Sequence, residues 1–205
     1  MSETAAHHNS HRDDLASKLG MWLFIFTELL LFGGLFIVYS VYRYKHAQAF
    51  SIAAEELSVT MGTINTVILL ISSMTIAMST TAIQKKDKRS SLILIGITMV
   101  LALVFLVNKY FEWSGKISHG LFPGSPILDD LGQGDILFFG LYFFMTGLHA
   151  LHIIVGMVVL GFGFVFVWKD KLSFDNYQLL ENGGLYWHLV DLIWIFLFPL
   201  FYLIT

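Results

Sequence analysis

Five apolar runs, each long enough to cross a bilayer, constrain this chain more than any other feature. A span needs about 20 mainly apolar residues. The qualifying segments are Leu19–Tyr44, Met61–Ile83, Ser91–Tyr110, Ile136–Trp168 and Leu185–Ile204. In hydrocarbon each backbone polar group must be satisfied within its own segment, so runs of this length and composition predict helices. The expected fold class is therefore all-α: an integral membrane bundle of five transmembrane helices. Composition agrees, because 13% of the residues are charged, about half the share that a soluble domain carries. The fourth run exceeds what a bilayer requires and is expected to tilt or emerge into water.

Polar composition excludes several classes of function. The chain has no cysteine, which rules out disulfides, thiolate metal sites and iron–sulfur clusters. A net charge of −3 gives no reason to expect nucleic acid as a partner. Residues 1–18 are polar and lack an apolar stretch and a small-residue cleavage site, so a solvated tail is expected and no cleavable leader. Its histidines, His7, His8 and His11, could bind a metal weakly.

Lysine and arginine set the expected orientation. With five spans, the N-terminal tail shares a side with the second and fourth loops. That side holds eight of the twelve basic residues, with the densest run at Lys85, Lys86, Lys88 and Arg89. The N-terminus is thus expected in the cytoplasm and the C-terminus at the periplasm or exterior. The same basic run is a candidate contact for lipid headgroups. The longest loop, Glu112–Asp135, has the Gly and Pro content of turns.

Small and hydroxyl residues predict helix packing. Asn65, Ser72, Thr75 and Ser79 share one face of the second span. Gly140, Gly147 and Ala150 mark a close-packing face on the fourth, continued by Gly156, Gly161 and Gly163. Trp22, Tyr42, Trp113 and Trp168 suit interfacial belts. Pro199 should kink the last helix or be rescued by a neighbour.

Ionisable residues within spans are expensive and need an account. Glu28 lies about ten residues into the first span. It is read either as a proton-linked, reactive carboxyl or as a structural one, protonated or paired with a buried histidine. His149 and His152 share a helix face at i, i+3, as do His188 and Asp191. These four could form a metal site, a bis-histidine haem site, or an interhelical hydrogen-bond cluster without metal. Lys109, Glu112 and Lys116 have the spacing of an interfacial ion-pair ladder.

At this point the segments resemble a known family. Leu19–Gly34 resembles the helix of cytochrome oxidase subunit III that carries a buried glutamate. Thr63–Leu70 resembles its next helix, and Thr146–Gly156 its paired-histidine helix. Tyr186–Phe198 resembles its last helix, and Tyr110–Trp113 a helix boundary between them. The order is the family's, in its five-helix bacterial form, which implies the inner (plasma) membrane of a bacterium; mitochondrial relatives carry two further helices at the start. The resemblance implies an accessory subunit without catalytic residues, metal or redox cofactor of its own. Haem and copper would sit in partner subunits, above all the catalytic subunit I. It implies bound phospholipid, support of proton uptake, membership of an oxygen-reducing, proton-pumping complex, and a possible place in a respiratory supercomplex. Glu28 matches the family's carbodiimide-reactive glutamate. His149, His152, His188 and Asp191 fall on its intramembrane polar positions, for which structural roles are implied. Glu28 also favours the cytochrome c oxidase type over ubiquinol oxidases of the o type, in which that carboxyl is expected to be absent. A quinol oxidase or nitric oxide reductase subunit is the alternative.

Overall fold

A computed structural model describes residues 2–170, 172 and 177–204, with side chains from Ala16 onward. His7, His8 and His11 fall outside those side chains. Among the described residues there are seven helices and no strand. They are α1 (Ser2–Lys45), α2 (Ala47–Glu55), α3 (Val59–Gln84), α4 (Lys88–Ser118), α5 (Pro126–Leu131), α6 (Gln133–Trp168) and α7 (Gln178–Tyr202). Five of them, α1 from Ala16, α3, α4, α6 and α7, have the length and hydropathy to cross a membrane. The polar stretch expected as a tail is helical from Ser2. No Gly or Pro interrupts it, and its alanines favour propagation.

α7 is the hub. It packs against α1, α3 and α6, while α4 bridges α3 and α6. Its buried face carries Trp187, Trp194, Leu197 and Phe201. One close approach makes this possible: a Cβ built on Gly156 of α6 would lie 2.9 Å from the Trp187 ring. The expected face at Gly140 is not a contact, since nothing lies within 4 Å of a Cβ there, and Gly147 meets only Trp113 at 3.5 Å.

The polar stripe on α3 is used as its spacing predicted. Asn108 Nδ2 donates to Asn65 Oδ1 (2.9 Å), Thr75 and Thr98 share a hydrogen bond (2.8 Å), and so do Ser79 and Ser91 (2.9 Å). Ser72 Oγ accepts from the Trp187 indole at 3.0 Å. Such bonds tie helices together by about 0.6–2 kcal/mol each. The α3–α4 turn is tight because α3 ends in a Schellman arrangement. Asp87 N donates to Ala82 O, Lys86 N to Ile83 O, and Lys86 has φ 64°. Asp87 then caps α4 through Ser90 N at 3.1 Å.

Three sequence expectations need correction. The loop expected over Glu112–Asp135 is largely helical: α4 continues to Ser118, and Pro126 opens the short α5 at a favoured first position. α2 was not anticipated, although Phe50, Ala53, Ala54 and Leu57 recur at helical spacing and all four are buried. Trp113 does not belong to an outer belt but packs inward, near Lys109. Pro199 stays within α7, three residues from its end, where the Tyr39 hydroxyl donates to the Leu200 carbonyl.

Candidate functional site

The ionisable residues at membrane depth form three separate clusters. The first joins α1 to α6. Glu28 Oε2 lies 2.9 Å from His152 Nε2, and His152 Nδ1 lies 2.7 Å from the Leu148 carbonyl. A carbonyl only accepts, so Nδ1 carries a proton. The Glu28–His152 bond therefore holds one shared proton, on the carboxyl or on Nε2. Either placement leaves the pair with zero net charge, which is what an apolar setting tolerates. Phe32 packs edge-on against the imidazole at 5.5 Å, and Tyr186 OH donates to the His152 carbonyl. The pair can therefore hold two helices together and pass a proton between two atoms.

The second cluster is larger and was misassigned from sequence. Lys109 Nζ donates to Glu112 Oε2 (3.0 Å), Tyr142 OH (3.0 Å) and Tyr202 OH (2.9 Å). Tyr142 and Tyr202 in turn donate to Glu112 Oε1, at 2.9 and 2.6 Å. All three ammonium protons and both carboxylate oxygens are thus satisfied. The Lys109 and Glu112 side chains are 2% and 5% exposed, so this is an internal knot of α4, α6 and α7. The expected ladder does not continue to Lys116. Lys116 leaves it entirely, pairing with Glu56 at the end of α2 (3.7 Å). Helical spacing correctly joined Lys109 to Glu112, but Tyr142 and Tyr202 come from distant sequence and no local pattern reveals them.

The third cluster lies between α3 and α7. Ser73 Oγ and His188 Nδ1 are 2.6 Å apart. Asp191, one turn further along α7, is 3% exposed and borders the same Ser73. His149 is separate from all three clusters. It is fully buried between Phe105 and Trp194, with neither nitrogen bonded. The four residues read as one possible cluster are therefore dispersed. His152 faces Glu28, His188 faces Ser73, and His149 faces aromatic rings. Among the described residues no three His, Asp or Glu side chains converge as metal ligands would.

The basic run at the α3–α4 turn is divided. Lys88 is committed to α6, donating to Asp170 Oδ1 (2.6 Å) and the Trp168 carbonyl (2.8 Å). Lys85 instead borders an open cleft of about 590 Å³ whose walls include Met74, Met78 and Leu94, with Ser90 and Asp87 at its polar end. Arg89 is exposed. At that same end of the bundle, Lys18 pairs with Glu181 at 3.7 Å and Asn182 donates to Ser17, joining α1 to α7.

The sequence matches the family model described as cytochrome c oxidase subunit III over residues 2–205. It is 32% identical over 205 residues to a cytochrome c oxidase subunit 3 of Thermostichus vulcanus, covering 97% of this chain and 92% of that one. It is 30% identical over 195 residues to a probable quinol oxidase subunit 3 of Staphylococcus saprophyticus, covering 95% and 92%. A haem–copper oxidase subunit I+III of Aeropyrum pernix is 29% identical over 195 residues, which are 91% of this chain and 22% of that polypeptide.

Proposed function

The chain belongs to the cytochrome c oxidase subunit III family, and from that premise we propose that it is the accessory, non-redox subunit of a proton-pumping haem–copper oxidase of the cytochrome c type. The dispersal of its intramembrane histidines carries this reading. His149, His152 and His188 each face a different neighbour, an arrangement suited to joining helices and unsuited to holding a haem iron or copper ion between them. The haem and copper that reduce oxygen to water then belong to the catalytic subunit beside it. This chain stabilises that subunit and supports its proton uptake.

Phospholipid is part of the proposal. The cleft beside Lys85 joins an apolar wall to a cation at its polar end, as a phosphate-bearing lipid requires. The excess of basic residues around Lys85–Arg89 supports a cytoplasmic N-terminus, which reporter fusions at each terminus would test. Glu28, present here, supports the cytochrome c type. A quinol-oxidising complex is the second reading, favoured by the Staphylococcus relative.

The test is purification in mild detergent, followed by subunit identification, a visible spectrum and oxidase assays. Co-purification with a haem-bearing catalytic subunit, and oxidation of reduced cytochrome c, support the proposal. Oxidation of quinol alone moves it to the second reading. Isolation of this chain alone, carrying its own haem, overturns it.

A further inference from the structure

We infer that the outer face of α7, in the groove between α1 and α3, receives a transmembrane helix of the catalytic subunit, and that His188 Nε2 forms a hydrogen bond with it. The inference rests on the accessory-subunit reading and adds to it a face and a contact.

The groove follows from the packing. α1 and α3 each lie against α7 but make no contact with one another among the described residues. α7 is therefore the floor of an open channel walled by two helices. Its outward stripe runs through Leu185, His188, Leu192, Ile195 and Pro199, spaced as one helix face. Leu192 and Ile195 are 44% and 42% exposed. A helix with its side chains is about 10 Å across, a shape that such a channel accommodates.

One member of the stripe is out of place against lipid. His188 is the eleventh of 25 residues in α7, and its partner Ser73 is the fifteenth of 26 in α3. Both therefore sit near mid-bilayer. Ser73 Oγ bonds His188 Nδ1. Whichever ring nitrogen carries the proton, the other is an acceptor, so Nε2 is polar in either tautomer. Nε2 has no described partner and is not among the enclosed unbonded atoms, so this polar nitrogen reaches the surface of the bundle. A bare polar group facing hydrocarbon is costly. Acyl chains offer no hydrogen-bonding group, and lipid ester groups lie about 15 Å away at the edge of the hydrocarbon. The occupant must bring a hydrogen-bonding group to mid-membrane depth, as a helix bearing a hydroxyl, amide or carboxyl can.

The test uses the assembled oxidase in its own membrane, with a photo-crosslinking amino acid at Leu192 in the groove or at Leu103 on the outer side of α4. Co-purification of the wild-type chain with a haem–copper subunit is established first; if that fails, the accessory-subunit reading is what falls. With it in hand, crosslinking of position 192, and not position 103, to the catalytic subunit supports the inference. Capture of lipid alone or of a second copy of this chain at position 192 overturns it, as does capture of the catalytic subunit at position 103 instead. His188→Leu should lower the retained catalytic subunit by about three- to thirtyfold in detergent, the range of one interhelical bond. His188→Gln, which keeps both a donor and an acceptor, should restore it. Equal retention in all three chains would overturn the hydrogen-bond assignment.

Discussion

Replacing Lys109 by methionine tests the internal knot of α4, α6 and α7. Methionine keeps most of the side-chain volume and removes three donors. Glu112 Oε2 loses its only described donor and the carboxylate loses its counter-charge, at 5% exposure. Breaking a buried pair costs about 3–5 kcal/mol. The lower end applies, because Tyr142 and Tyr202 still donate to Glu112 Oε1. For a chain of this size each kcal/mol is about 2–4 °C in Tm, so a fall of about 6–12 °C is expected. Trp113 and Trp194 lie 5.9 and 5.4 Å from Nζ, so tryptophan fluorescence in detergent during heating reports on the knot directly. The decisive form is a cycle with Glu112→Leu. The double variant should be more stable than the two single losses predict together, by about 2 kcal/mol or more, because neither charge is then left alone. Additivity within about 0.5 kcal/mol would refute the claim that Lys109 and Glu112 act as one unit.

Other positions give independent tests. Glu28→Gln preserves a hydrogen-bonding group opposite His152 Nε2, so the complex should assemble normally and turnover should change modestly; loss of all oxidase activity in a fully assembled complex would sink the accessory role of this residue. Gly156→Ala should cost about 1–3 kcal/mol by overpacking, since its new methyl meets Trp187 at 2.9 Å and Tyr186 at 3.1 Å. Gly140→Ala, with open space around it, should instead be neutral or stabilising by up to about 1 kcal/mol; thermal denaturation of the two variants checks the contrast. Asp87 has its carboxyl held below the usual carboxylate value, first by the Ser90 side chain and then by the Ser90 backbone N–H. A depressed carboxylate stabilises above its unfolded pKa of about 4 and loses that contribution as pH falls through the folded value. Hydrogen-exchange protection at the first turn of α4, relative to the intrinsic rate at each pH, should therefore fall in acid, and Asp87→Ser, which keeps a cap without a charge, should abolish the change.

How much of this was legible in the sequence follows from the range over which each signal acts. Apolar runs are local, so all five spans could be read from them. The α3 stripe was legible because a seven-residue recurrence of hydroxyl and amide groups fixes a face whatever lies opposite. α2 was missed for want of length, although its period was present in Phe50, Ala53, Ala54 and Leu57. The glycine face on α6 held at Gly156 and failed at Gly140, because small size permits a close approach without requiring one. Gly156 has Trp187 over it and Gly140 has nothing, and the difference lies in where α7 crosses.

The site residues show the same limit more sharply. Sequence marked Glu28, His149, His152, His188 and Asp191 as costly groups needing partners, and depth alone justified that. It could not say who pairs with whom, because the partners lie 124 residues away for Glu28 and 115 for His188. Grouping the histidines by helix face led toward one shared centre, whereas His149 and His152, only three residues apart, differ completely in their surroundings. His152 stands at the α1 seam with Glu28, and His149 lies inside among Phe105 and Trp194. An i, i+3 spacing spreads two side chains by about 60° around the axis, since each residue turns the helix by about 100°. In a bundle where every helix has neighbours on several sides, that angle is enough to send one imidazole into a seam with a carboxyl and its neighbour into an aromatic core. Shared-face spacing therefore establishes a common centre only when a third ligand on another helix closes the angle, and Glu28 closes it on His152 alone.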